Sequence, residues 1–319
     1  MAQHTFFRYL RLKFVVTLMR LVVRWNAFLA IRRDLPLSQG IERQGIRIPS
    51  RDKRRYIDAW LYYPPDHTAS SPTTGTTKEP ILVNWHGSGF VFPLLGTDQA
   101  FCVRVARETG LLVLDADYRK APETPFPGAV HDVEDALNWV ASQPDRFDLS
   151  RVAVSGFSAG GNLALVAASA LRKKLLLTDM QIPIVVATYP VTNLSIAPQT
   201  KAVPNPRKPI PPGVAAMFDE CYTPDPETRK DPRVSPSLAD PADYPGTVVI
   251  ITCEGDILSP EASALADTLD DGTRKVVHRI LKAVHHGFDK GAEKGTNEWE
   301  RREEAYALAV KALKEALSL

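Results

Sequence analysis

The sequence predicts an α/β domain built on a mainly parallel sheet, and three observations point there. Short apolar runs at residues 81–85, 111–114, 152–154, 184–189 and 247–253, and a strand-like alternation at 275–281, are separated by stretches with helical character, the pattern expected of a sheet covered on both faces. A chain of 319 residues at 44% hydrophobic content can bury one large core, and α/β domains of this size are often single. Finally, Gly156-Phe157-Ser158-Ala159-Gly160 lies between an apolar run and a helical stretch, the setting of a tight strand-to-helix turn.

In chain order, the sequence reads as a helical N-terminus, strands near 46–48 and 57–63, and then the alternation from residue 81. Residues 128–142 read as a helix. After the run 184–189 the chain is thick in proline from Pro190 to Pro245, and such a segment continues neither a sheet nor a regular helix. It is expected to be an insertion between core strands, with a helical cap piece over 211–222, where Val214, Met217, Phe218 and Tyr222 recur near helical spacing. It would rejoin the core through 231–236. Trp299, Tyr306, Val310, Leu313 and Leu317 mark a closing amphipathic helix. The expected division is a cap or amphipathic helix over 1–40, core over 41–190, cap insertion over 191–236 and core again over 237–319.

Ser158 is the candidate nucleophile, because glycines on both sides allow a turn that holds its hydroxyl out from the sheet edge. A serine hydroxyl is almost un-ionised at neutral pH, so it needs a general base, and the base needs a third group to fix its tautomer. For this turn the chain order is serine, acid, histidine. The run 247–253 ends in Glu254-Gly255-Asp256, where a parallel sheet presents its loops, making Asp256 the candidate acid with Glu254 as its rival. The run 275–281 is followed by Val284-His285-His286-Gly287-Phe288, and on spacing alone either His285 or His286 could swing back to the serine. Upstream, residues 81–85 run into His86-Gly87-Ser88-Gly89-Phe90, where small residues let the main chain approach a substrate. The backbone N–H groups of Ser88, Gly89 and Ala159 are the candidate oxyanion donors. Ser88 itself lacks the strand-turn-helix setting of a nucleophile.

Four motifs in order resemble the hormone-sensitive-lipase-like esterases of the α/β-hydrolase superfamily. They are His86-Gly87-Ser88-Gly89-Phe90, Asp117-Tyr118-Arg119-Lys120-Ala121-Pro122-Glu123 followed by Pro125-Phe126-Pro127, the serine turn, and His286-Gly287-Phe288. The resemblance covers roughly residues 80 to 290. It implies an α/β-hydrolase fold, a cap over the active site from the N-terminal helix and the insertion, His286 as base and Asp256 as acid. Two positions depart from the family's pattern: Phe157 stands where an aspartate is usual, and Ser88 replaces a glycine, which requires a φ that a non-glycine tolerates.

A net charge of +2 leaves no basic footprint for nucleic acid. Three widely spaced cysteines, Cys102, Cys221 and Cys253, argue against a disulfide framework and fit a reducing, cytoplasmic compartment. No metal or nucleotide motif occurs, so neither a metal nor a cofactor is expected.

Near the N-terminus, Phe7, Leu10, Phe14, Leu18, Leu21, Trp25 and Phe28 form a helical apolar stripe, and no acidic residue precedes Asp34. As a membrane span over 14–31, its apolar residues gain about 3 to 6 kcal/mol while Arg20 and Arg24 cost about 5 to 7, so spanning loses. The stripe is expected either to pack over the active site or to lie on an anionic membrane face. The activity implied is that of a serine carboxylesterase on short-acyl or small-molecule esters. Acyl transfer or lactone opening on the same three residues is the alternative, and a non-catalytic receptor of this fold is a more distant one.

Overall fold

Ile184, Val185, Val186 and Thr188 have high β propensity, and with Ala187 they form a five-residue run that is wholly buried, as a strand covered on both faces requires. This strand lies inside an eight-stranded sheet in the computed structural model of the chain, which describes residues 5–65, 67, 78–175 and 179–319. Residues 1–4 of the expected N-terminal element, and 66, 68–77 and 176–178 of the expected core, lie outside the described residues.

The chain begins with a long helix, α1 (Phe6–Asp34), followed by β1 (Arg43–Pro49), β2 (Tyr56–Tyr62), β3 (Glu79–Trp85), α2 (Gln99–Thr109), β4 (Leu112–Ala116) and α3 (Gly128–Ala141). Next come β5 (Phe147–Phe157), α4 (Ala159–Ala168), the single turn α5 (Arg172–Leu175), β6 (Ile184–Thr188) and α6 (Pro212–Tyr222). Then β7 (Thr247–Cys253), α7 (Ser259–Leu269), β8 (Lys275–Leu281) and α8 (Asn297–Leu317) close the chain. The sheet order is β1-β2-β4-β3-β5-β6-β7-β8. β2 runs antiparallel to β1 and β4, and every pairing from β4 to β8 is parallel. The fold is that of an α/β-hydrolase.

Parallel register lines up the carboxyl ends of β3, β5, β6 and β7, since Trp85 pairs with Gly156, Phe157 with Thr188, and Thr188 with Ile251. Loops leaving these ends therefore meet at one edge, where ligands bind in open α/β sheets. Two apolar layers cover the sheet. One packs α3 and α4 against it, with Val154, Leu163 and Val185 wholly buried. The other packs α2 and α8, with Phe101, Phe157 and Tyr306 in mutual edge-to-face contact.

The proline-rich stretch between β6 and β7 is ordered by short 3-10 turns and by α6, which begins with a proline where a missing N–H costs nothing. Asn162 of α4 ties both ends of this insertion to the core, donating from Nδ2 to the carbonyls of Val191 (2.8 Å) and Val234 (2.9 Å).

Helix α1 differs from the sequence expectation in its orientation. The side that seats on the core carries Leu12, Val16, Met19, Val23, Ala27 and Ala30. The Phe7 to Phe28 stripe, expected either to pack over the active site or to lie on a membrane face, does not pack on the core but points outwards, with Phe7 82% and Trp25 63% exposed. Both sides are apolar, so hydrophobic spacing alone does not choose between them; Arg20 sets the rotation. Its guanidinium donates to the carbonyls of Val91 (2.8 Å) and Ala121 (2.9 Å) and pairs with Glu123 (2.7 Å), which pins the inner side down.

Candidate active site

Ser158 stands between β5 and α4 at φ 52°, ψ −119°, a conformation that an L residue holds only when its surroundings enforce it. The enforcement is steric. A Cβ on Gly156 would lie 2.2 Å from the Gly160 carbonyl oxygen, and one on Gly160 would lie 1.9 Å from that of Trp85. Only glycines let the strand, the turn and β3 approach this closely. The Ser158 N–H donates to the Thr188 carbonyl at 2.9 Å, fixing the turn to the next strand.

Two loops meet the serine. His286, in the loop after β8, has Nε2 2.8 Å from Ser158 Oγ. Its Nδ1 is 2.6 Å from Oδ2 of Asp256, which follows β7 and is 2% exposed. Ser158, His286 and Asp256 thus form one hydrogen-bonded row. With Nδ1 carrying the proton toward Asp256, Nε2 is free to accept from the serine hydroxyl.

The rival residues lie elsewhere. Glu254 accepts from Lys282 Nζ (3.0 Å) and from the Ala283 N–H (2.9 Å) at the surface, and that backbone N–H, helped by Lys282, holds its carboxyl below the usual range. His285 turns away, with Nδ1 against the His286 carbonyl and Nε2 3.1 Å from Lys208 Nζ.

The 86–90 loop lies against the turn, and a Cβ on Gly87 would sit 3.2 Å from the Phe157 carbonyl oxygen. Ser88 does not adopt a positive φ, whereas Gly89 (54°) and Phe90 (62°) do, so the serine occupies a position that tolerates it. Its hydroxyl faces away from the row, 2.6 Å from Tyr118 Oη, and accepts from the Phe90 N–H at 2.9 Å. Among the described residues, no protein group accepts from the N–H of Ser88 or Gly89. Ala159 opens α4, where an N–H lacks an intrahelical partner.

Sequence reasoning did not find the supports of this loop. Tyr118 donates its hydroxyl to the His86 carbonyl (2.7 Å) and stacks on the His86 ring. Asp117 takes His86 Nε2 at 3.0 Å and Lys120 Nζ at 2.5 Å. Burial would raise the Asp117 carboxyl, yet Lys120 and His86 hold it well below the usual range. The Asp117 to Glu123 motif therefore braces the loop from behind. The only signal for this in the sequence was the motif itself.

Behind the turn, Phe157 packs among Phe101, Tyr189 and Tyr306. The Lys290 ammonium lies 3.6 Å from its ring centre and pairs with Asp98 (2.7 Å) and Asp289 (2.8 Å). Where an aspartate is usual, this chain thus holds a cation against an aromatic face and takes its carboxylates from other segments.

A cavity of about 370 Å³ opens beside Ser158 and His286. Its walls come from the 86–90 loop, from Val23, Ala27 and Ala30 of α1, and from Ala215 and Phe218 of α6. Asn26, Thr97, Lys201, Asp219 and Lys290 interrupt a mainly apolar lining. Burial pushes the Asp219 carboxyl up to about 6 against the opposing pull of Arg229 and Lys201.

A family described as alpha/beta hydrolase fold matches residues 82–290. Ethyl acetate hydrolase from Pseudomonas putida is 29% identical over 209 residues, 65% of each chain. Carboxylic ester hydrolase LipN from Mycobacterium tuberculosis is 31% identical over 236 residues, 70% of this chain and 63% of that one. The chain spans a little under two thirds of the length of these curated relatives. An esterase from Pyrobaculum calidifontis superposes with a TM-score of 0.76 at 28% identity, over 94% of this chain and 93% of that one. EstE1, a carboxylesterase cloned from a metagenomic library, superposes with a TM-score of 0.77 at 27% identity, over 95% and 97%. With its sheet order, its serine turn and a family match over most of its length, the chain belongs to the hormone-sensitive-lipase-like family of α/β-hydrolases.

Proposed function

We propose that the chain is a serine carboxylesterase acting through an acyl-enzyme. The observation that carries this reading is the hydrogen-bonded row from Ser158 Oγ through His286 to Asp256. In this reading Ser158 attacks the ester carbonyl, and His286 Nε2 takes the hydroxyl proton and returns it to the departing alcohol. Asp256 holds His286 in the required tautomer and stabilises the imidazolium. The N–H groups of Ser88, Gly89 and Ala159 receive the oxyanion, and water then releases the acid by the same path.

The cavity suggests the substrate class. Helices α1 and α6 act as the cap, so the acyl group would enter an apolar space that is closed above, which favours short-acyl or small-molecule esters. The name of the ethyl acetate hydrolase relative agrees with this class. Labelling with an organophosphonate probe tests the nucleophile. Intact protein and Ser88→Ala are expected to label, and Ser158→Ala is expected to resist. Labelling retained in Ser158→Ala and lost in Ser88→Ala would reverse the assignment.

A further inference from the structure

Helix α1 offers water a ridge that a folded chain ordinarily hides. Phe7, Phe14, Leu18, Leu21, Trp25 and Phe28 follow one another at three-, four- and seven-residue steps along its outer side, each exposed by 47% or more. Val22 and Leu29 widen the ridge. At 1.5 Å per residue it runs for about 30 Å. Monomeric proteins rarely expose a contiguous apolar patch beyond a few hundred Å², and larger ones mark contact surfaces.

Charge decides what the ridge contacts. Residues 1–33 contain seven lysines and arginines and no aspartate or glutamate. Lys13, Arg24 and Arg32 have no carboxylate partner among the described residues. A second copy packed on the same ridge would meet it with the same cations, because a two-fold interface is self-complementary. Anionic lipid headgroups would neutralise them, while acyl chains take up the apolar side chains between. Length and composition would let this helix cross a bilayer, but its inner side argues against it: Arg20 is bonded to Val91, Ala121 and Glu123, and Leu12 and Val16 are buried in the core.

We propose that the outer side of α1 docks on an anionic membrane surface. The helix lies in the plane of the interface with Phe14, Leu18, Leu21 and Trp25 among the acyl chains, while its inner side remains the roof of the cavity. Sequence spacing set a buried cap helix against a membrane-surface helix as alternatives; the structure lets one helix serve both contacts, through different sides. This inference stands whether or not the cavity hydrolyses esters.

The test uses the full chain and vesicles of phosphatidylcholine with and without phosphatidylglycerol. The protein is expected to sediment with the anionic vesicles, less with neutral ones, and to be released by high salt. The Leu18→Ser, Trp25→Ser double variant, whose side chains do not line the cavity, is expected to lose about tenfold or more of this binding. Its circular dichroism and melting temperature should remain those of the parent. Brominated acyl chains should quench the parent's tryptophan emission, and Trp25→Phe should remove most of that quenching while still sedimenting. The proposal is overturned if the intact chain stays in the supernatant with anionic vesicles, if the double variant binds equally well, or if bromolipid leaves the parent's emission unquenched. A lipid-free dimer that the double variant dissolves, with no vesicle binding by the parent, would assign the ridge to a second copy instead.

Discussion

Helices α1 and α4 are both rich in apolar residues and meet opposite surroundings in the fold. α4 has no charged residue, whereas α1 sets apolar residues on its inner and outer sides among seven lysines and arginines. In α4 every residue is buried, because the helix is enclosed by β3, β5, β6 and α3. In α1 only Leu12, Val16 and Asp34 are buried. An apolar helix side announces that water is absent there, but not whether protein or lipid replaces it. For α4 the replacement is protein, and its rigidity holds Ser158 in a strained turn. For α1 protein covers one side only.

Four experiments can break or sharpen this contrast. The largest effect belongs to the row that α4 supports: Asp256→Asn and His286→Ala are each expected to lower kcat by about 10³-fold or more, and Glu254→Gln and His285→Ala by far less. Steady-state hydrolysis of a soluble short-acyl ester by folded variants measures this, and a larger loss in Glu254→Gln would name the wrong acid.

Next comes packing. Leu163→Ala in α4, at a fully buried site, is expected to cost about 2 to 5 kcal/mol of unfolding free energy in a denaturant titration. A cost near zero would mean that α4 is not the rigid member of the pair.

A third experiment concerns the cavity wall beneath the roof. Asp219 has a folded pKa of about 6 against its ordinary 3.8, so the folded chain binds more protons than the unfolded one between these values. Its contribution therefore opposes folding fully above about pH 6 and fades as pH falls toward about 4. Asp219→Asn is expected to stabilise the protein by on the order of 2 kcal/mol near neutral pH and by nothing at about pH 4. Melting curves across that range read the difference, and a constant gain at all pH values would remove titration as its cause.

The smallest effect is expected on the ridge: Leu18→Ala should change stability in lipid-free buffer by less than about 0.5 kcal/mol, since the side chain is already half exposed and lies outside the core. A loss comparable to that of Leu163→Ala would show that α1 is covered in solution.

The sheet was largely legible from sequence because its signals are local. Runs such as Ile184 to Thr188 carry their own burial pattern, and Gly156, Ser158 and Gly160 mark a turn by steric need alone. Spacing could not choose between Asp256 and Glu254, or between His285 and His286, because neighbours one or two residues apart differ only in which way the loop turns them. Equally hidden were contacts assembled from distant segments. Lys290 reaches Asp98 across almost two hundred residues, and Tyr118 reaches His86 and Ser88 from the next strand's end. Spacing left the orientation of the Phe7 to Phe28 stripe open between core and membrane face, because hydrophobic periodicity cannot rank two apolar sides. Arg20, read in the sequence only as a cost to membrane spanning, is the residue that fastens the inner side to the core.

That arginine also couples two parts of the molecule. Its guanidinium holds the Val91 carbonyl, three residues past Ser88, and the Ala121 carbonyl, whose own N–H donates to the carbonyl of Phe90. Helix α1 and the 86–90 loop are thus fastened through one cation. Lifting α1 away would strand that cation and loosen the loop, and a ligand that orders the loop must, by reciprocity, tighten the helix. Anything that grips α1 from outside acquires a lever on the loop that lies against the Ser158 turn.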